Sequence, residues 1–243
     1  MISVIIPALD EEGSLPETIR SCRRGGACEV VVADGGSADR TPEIAEKLAD
    51  ATIAAPRGRA RQMNAGAAVA NGTTLLFLHA DTLLPTGAID AVQEAMKDAA
   101  VVGGAFRIRL SASPGAGACT RAALRLIGWG VRVRSRITRS YTGDQAIFVR
   151  AEPFRASGGF PEIPLMEDVE ASRWMARRGK TVLLPLAVRS SGRRWEAWGP
   201  AATVLLMWRL RVGYRFGMSA EECARRYRTG PSFLRRRRPV PPT

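Results

Sequence analysis

Three apolar runs in the first eighty residues end alike. Ser3 to Pro7 runs into Asp10-Glu11-Glu12, Glu29 to Asp34 ("EVVVAD") into Gly35-Gly36-Ser37, and Leu75 to Leu78 into His79-Ala80-Asp81. Each run is continuously apolar rather than alternating, the pattern of a strand covered on both faces. Helical patterns lie between them: Leu15 to Arg23, Thr41 to Leu48 with Thr41 and Pro42 as N-cap and first helical residue, and Ala60 to Ala70, with a short strand near Ala51 to Ala54. Strand and helix therefore alternate, which predicts an α/β fold with a mostly parallel sheet. Ligands of such sheets bind beyond the carboxyl ends of the strands, so the three polar turns are expected on one edge.

The second half is less regular. Val101 to Leu110 reads as a strand, Ala146 to Val149 as a short one after Gly143-Asp144-Gln145, Met166 to Arg178 as a helix and Thr181 to Val188 as a further strand. Ala201 to Gly217 and Ala220 to Arg228 read as helices, and the tail from 231 to 243, with Arg235 to Arg238 and then prolines, as disordered. The chain of 243 residues divides into a main domain over 1–190, a helical extension over 191–230, and the tail.

Charge narrows the partners. The formal net charge is +13, carried almost wholly by arginine, which favours nucleotides, phosphates, nucleic acid or an anionic membrane face. Aromatics make up 6% of residues and form no stacking array, so nucleic acid is not expected. The four cysteines form no C-x-x-C pair and the chain has one histidine, which argues against structural zinc. The opening residues already read as a strand rather than a leader, and no run is long enough to span a bilayer, so a cytoplasmic location is expected.

The ordered set "SVIIPALDEE", "VVVADGGSADRT", "RGRARQMNAGAAVANG" and "LLFLHADT" resembles the family-2 inverting glycosyltransferases of GT-A fold. Those typically carry a P-x-x-N-E turn, a D-D-G-S-x-D turn, an R-G-x-x-x-A-x-N-x-G helix and a D-x-D-type motif. The resemblance covers about residues 1–190 and lies with short, soluble members bearing L-H-A-D-T and G-D-Q, some linked to arsenosugar biosynthesis. It implies a GT-A, Rossmann-like sheet flanked by helices with a C-terminal helical extension, and within 1–190 a nucleotide-binding half over 1–100 and an acceptor-binding half over 101–190. It implies transfer of a sugar from a UDP- or GDP-sugar to an acceptor hydroxyl not identified by the sequence, with Mg²⁺ or Mn²⁺ as cofactor.

The resemblance also distributes roles. Pro7 and Ala8 shape the wall of the base pocket, Asp34 reads the base, and Asp10 and Glu11 approach base or ribose; Asp10 stands where the family usually has Asn. Arg57 and Arg59 suit a diphosphate at a helix start. Ala80 lies in the donor site, and Asp81 takes the place of the metal-ligating Asp, where a divalent cation neutralises the departing diphosphate. His79 replaces the first Asp of that motif, as ribose contact, metal ligand or packing residue. Glu167-Asp168 matches the late E-D motif, with Asp168 as general base and Glu167 as its neighbour. Gly143, Asp144 and Gln145 match the acceptor-side loop. Arg194-Trp195 faintly resembles a Q-x-x-R-W motif without its Gln; Arg193 or Arg194 would neutralise diphosphate and Trp195 would stack on sugar or close the pocket.

Two alternatives stand beside this reading. A membrane-surface transferase acting on a polyprenyl phosphate would use Val204 to Gly217 against an anionic interface, placing the protein at the inner face of the membrane. A non-catalytic basic binding protein would keep the scaffold and lose the chemistry.

Overall fold

The structure, a computed structural model, describes residues 1–231. The predicted tail lies outside the described residues from 232 onward. The first hundred residues read β1 (Ile2–Ala8), α1 (Leu15–Gly25), β2 (Glu29–Asp34), α2 (Thr41–Leu48), β3 (Ala51–Ala54), α3 (Arg59–Val69), β4 (Thr74–Phe77), β5 (Thr82–Leu83) and α4 (Ala88–Met96). The rest reads β6 (Val101–Ser111), α5 (Ala118–Thr138), a 3₁₀ turn at Gly143–Gln145, β7 (Ile147–Arg150), α6 (Ala151–Ala156), α7 (Glu167–Arg178), β8 (Lys180–Ser191), α8 (Arg193–Trp198), α9 (Pro200–Arg215) and α10 (Ala220–Thr229).

One eight-stranded sheet runs β3-β2-β1-β4-β7-β6-β8-β5. β1 pairs in parallel with β2 and β4, and β2 with β3. β7 is antiparallel to both β4 and β6, and β5 to β8, while β6 and β8 run parallel. The sheet is therefore mixed. Its parallel half matches the expectation, whereas β7 runs against both of its neighbours, a direction that the apolar pattern of a short strand cannot reveal.

The continuous apolar runs are explained by packing on both faces. Val4, Ile6, Val30 and Val32 enter one core with α1 and α4, whereas Ile5 and Val31 enter a second core with Met63 and Ala67 of α3. Gly66 allows that second layer to close: a Cβ there would come within 2.5 Å of Ile5. Thr41 does not cap α2 as expected. It is the first helical residue, Asp39 accepts its N–H at 2.9 Å, and its hydroxyl accepts the N–H of Glu11 at 2.8 Å.

Four helices escaped the sequence pattern. α4, α6 and α8 are short, and α5 is masked by its composition. Its inner residues Leu124, Gly128 and Ser135 are buried, yet Leu126, Trp129 and Ile137 face outward, so the apolar periodicity is blurred around the helix.

Candidate active site

The turns after β1 and β2 are knitted together. Asp10 adopts a left-handed conformation (φ 54°), a region that Asn and Asp tolerate best among non-glycine residues, so Asn and Asp are equivalent answers to this backbone. Its N–H donates to Ser37 Oγ at 2.9 Å and its carboxylate accepts the N–H of Ala38 at 2.8 Å. The N–H of Glu12 donates to Asp39 at 3.0 Å. Asp34 is buried and accepts the N–H groups of Gly36 at 2.9 Å and Ser37 at 3.1 Å, besides the Ser37 hydroxyl. Its carboxylate thus organises the Gly35-Gly36-Ser37 turn. Beneath it the buried Gln62 amide donates to the carbonyls of Ala8 at 2.7 Å and Ala33 at 3.0 Å, fixing β1 and β2 at their ends.

The β4 end is held from below. Thr18 Oγ1 donates to the Ala80 carbonyl at 2.7 Å, and the N–H of Thr82 donates to the His79 carbonyl at 3.0 Å. This turn leaves Asp81 partly exposed, with Arg193 Nη2 at 3.4 Å from its carboxylate and at 3.8 Å from that of Glu11. Burial pushes the Glu11 carboxyl above its ordinary value; Ser14 opposes the shift and the negative charge of Asp81 adds to it. One arginine thus bridges the acids at the ends of β1 and β4.

His79 is turned inward. Its Nε2 is buried without a hydrogen-bond partner, and a Cβ on Gly143 would lie 2.6 Å from it. Burial, with the positive charges of Arg59 and Arg194, pushes the imidazole down to about 3, so it is neutral. Gly143 is the only residue type that lets the 3₁₀ turn sit against this ring.

On the other side of Gly143 stands Asp168. Its Oδ2 accepts the Gly143 N–H at 3.1 Å and its Oδ1 the Val169 N–H at 2.7 Å. Glu167, buried at the first turn of α7, accepts a charged hydrogen bond from Arg59 at 3.0 Å. Burial pushes the Glu167 carboxyl up even so, with Arg59 opposing. Asn64 clasps the preceding segment, donating to the Phe160 carbonyl and accepting the Phe160 N–H, both at 2.8 Å. A small cavity lies between Arg59, Gly143, Phe160 and Asp168.

The expected site residues divide into two groups. Glu11, Arg59, His79, Ala80, Asp81, Gly143 and Asp168 sit in the linked turns at the strand ends, above the buried Ala8 and half-buried Pro7. Asp144 is held in the same turn, its Oδ1 buried without a partner, and burial raises its carboxyl. Arg57 is exposed beside them and forms no ion pair among the described residues. Gln145 instead lies fully buried: it donates to the Phe106 carbonyl and accepts from Thr142 and Ser135, so it supports the loop from inside. Trp195 packs half-buried on the main core, and Arg194 lies over the rings of Tyr227 (4.8 Å) and Trp198 (5.7 Å), hydrogen-bonded to the Tyr227 hydroxyl. Of the two candidate arginines it is Arg193 that reaches Asp81; an arginine two residues past the last strand was the available sequence signal.

A parallel βα half with acids at its strand ends, joined to a mixed half that delivers a carboxylate on a helix start, defines the GT-A nucleotide-sugar transferase architecture. The chain belongs to glycosyl transferase family 2, whose family model matches residues 3–148. It is similar to a PGL/p-HBAD biosynthesis glycosyltransferase of Mycobacterium tuberculosis, 40% identical over 93 residues, which are 35% of this chain and 36% of that protein. It is also similar to an undecaprenyl-phosphate 4-deoxy-4-formamido-L-arabinose transferase of Pseudomonas paraeruginosa, 44% identical over 55 residues, 21% of this chain and 16% of that one. The matches thus span about a third or less of those relatives. Among solved structures, S. aureus TarS in complex with UDP superposes with a TM-score of 0.62 at 17% identity, covering 84% of this chain and 65% of that chain. Glucosyl-3-phosphoglycerate synthase of M. tuberculosis, with Mn²⁺, UDP and glucosyl-3-phosphoglycerate, gives 0.58 at 17%, covering 88% and 80%.

Proposed function

We propose that the chain transfers a sugar from a nucleoside diphosphate donor to an acceptor hydroxyl with inversion at the anomeric carbon. The observation that carries this reading is the setting of Asp168. Two backbone N–H groups orient its carboxylate at the start of α7, where helix polarity favours negative charge. In the step itself the acceptor oxygen attacks the anomeric carbon as its proton passes to Asp168, and the bond from that carbon to the diphosphate oxygen breaks on the opposite face. Glu167 holds Arg59, and Arg59 with the exposed Arg57 offers positive charge to the diphosphate. Glu11 and the turn built on Asp34 border the nucleoside, and Gly143 and Asp144 border the acceptor.

The donor set fits a hard divalent cation of shared ligation. Asp81 offers one partly exposed carboxylate, and among the described residues no three His, Cys, Asp or Glu side chains converge as a self-sufficient cage. Asp81 would hold Mg²⁺ or Mn²⁺ together with diphosphate oxygens, and the cation, when bound, neutralises charge on the leaving group. His79, turned toward Gly143, serves as support rather than ligand. Uridine leads over guanosine because both structural neighbours above contain UDP.

A thermal-shift and calorimetry panel of UDP- and GDP-sugars with Mn²⁺ tests this. Donor binding should need the metal, vanish in Asp81→Ala and survive in His79→Ala. Binding indifferent to metal and to Asp81 would return the chain to the rival reading of a non-catalytic binder. A polyprenyl phosphate acceptor, with the protein at the inner membrane face, is the second reading; the outward apolar residues of α5 and α9 favour it. Polyprenyl phosphates and arsenosugar precursors belong in the acceptor screen.

A further inference from the structure

Two neighbouring helices carry apolar residues on the wrong side. α5 already buries Leu124, Gly128 and Ser135, and α9 buries Ala202, Leu206 and Leu210, so each has its own inward face. Both then present a second apolar row to solvent. On α5, Leu126, Trp129 and Ile137 recur at helical spacing and are exposed, Trp129 by 56%. On α9, Trp208 is 62% exposed, and Phe216, just past its end, 85%. Among the described residues nine large apolar side chains are exposed, and seven lie on or directly beside these two helices. The helices touch, and Arg211 of α9 donates to Ser140, just beyond α5. Single exposed apolar residues are ordinary; such concentration marks an interaction surface.

Charge selects the occupant. α5 holds five arginines and α9 three, and neither holds an aspartate or glutamate. A second copy would bring the same cationic face into contact with itself, in a chain already at +13. An anionic bilayer supplies the complementary charge, and tryptophans beside arginines are the residues of a membrane–water interface. No helix among the described residues is long and apolar enough to cross a membrane, so the contact is with its surface. We infer that α5 and α9 together seat the protein on an anionic lipid bilayer, with Trp129, Trp208 and Phe216 in the interface and the exposed arginines of the two helices, Arg121, Arg125 and Arg136 on α5 and Arg209 and Arg215 on α9, at the headgroups.

The seat does not depend on the transferase reading, but its position bears on it. Met166, directly before Glu167-Asp168, packs against Leu206 and Leu210 of α9. The helix that bears the outer apolar row thus also backs the start of α7, through its opposite, inward face.

The full chain should co-float with vesicles of equal parts phosphatidylcholine and phosphatidylglycerol, not with phosphatidylcholine alone, and release as salt rises. Trp129→Ser with Leu126→Ser, and separately Trp208→Ser with Phe216→Ser, should each weaken vesicle binding by about tenfold or more, since each removes two interface side chains. Their melting temperatures and nucleotide binding should stay as in the parent, separating this outcome from any failure of the transferase reading. Both variants keep the terminal arginines; binding unchanged in both would mean that tail charge alone attracts the lipid and would overturn the inference. So would absence of binding to anionic vesicles at low salt. A parent dimer in light scattering that reverts to monomer in the variants, without vesicle binding, would assign the surface to a second copy.

Discussion

Arg59 Nη1 lies 3.0 Å from Glu167 Oε1, joining the first residue of α3 to the first residue of α7 across 108 positions of sequence. The arginine is 41% exposed and the glutamate only 4%. Removing the arginine therefore leaves a buried carboxylate alone. Arg59→Ala should cost about 2–3 kcal/mol in denaturant unfolding, toward the low side for a pair with one partner in water. The loss should grow as pH rises above the ordinary carboxylate value of 4.5, because at lower pH Glu167 escapes by taking up a proton. A cost independent of pH would mean that Glu167 is neutral in the parent.

Asp168→Asn preserves shape and removes the proposed proton acceptor. Transfer should fall by about 10²–10⁴-fold while calorimetric affinity for the donor changes little. Equal loss of binding and turnover would assign Asp168 to the donor site instead.

The sole histidine gives a clean spectroscopic test. Its pKa is depressed to about 3, so the imidazole signals should not titrate as pH passes through 6.5. The unfolded chain gains a proton below that value and the folded chain does not. His79 therefore contributes a loss of stability as pH falls from 6.5 toward 3. An imidazole titrating near 6.5 in the folded protein would show that the ring is not enclosed by Gly143.

Asp144 has the opposite sign. Burial raises its carboxyl, so the folded state holds the proton more tightly and loses stability as pH rises above 3.8. Asp144→Asn should raise the melting temperature by about a few degrees at neutral pH and leave it unchanged in acid. A stabilisation of the same size at every pH would trace to hydrogen bonding rather than ionisation.

Gly143→Ala tests the contact between the two halves. The added methyl meets His79 Nε2 at 2.6 Å, and overpacking of this kind costs about 1–3 kcal/mol. His79→Ala should restore most of that loss in the double variant, a coupling readable by a thermal double-mutant cycle.

Much of the first hundred residues was legible because its physics is local. Continuous apolar runs followed by acids mark buried parallel strands, and their order fixed which turns share an edge. The residues beyond were less so. The direction of β7 depends on a crossing that no run of four residues encodes, and α5 was hidden by apolar residues on its outer face. Asp34 shows a different limit: composition reveals an acid at a strand end but not that its oxygens are occupied by Gly36 and Ser37. Arg194 and Arg193 were equivalent in sequence, and only the aromatic pair Trp198 and Tyr227 separates them.

The bonds from the Asp10 N–H to the Ser37 hydroxyl and from the Ala38 N–H to the Asp10 carboxylate, with those from Glu11 to Thr41, from Glu12 to Asp39 and from Arg40 back to Glu12, bind the turns after β1 and β2 into one mechanical part. Neither turn can relax without the other. Amide hydrogen exchange at 10–12 and 37–41 should slow together when a nucleotide binds, and a ligand touching only one turn would stiffen both. The rim proposed to receive the donor behaves as a single clasp, whose give is set by those bonds acting side by side rather than by any one residue that meets the ligand.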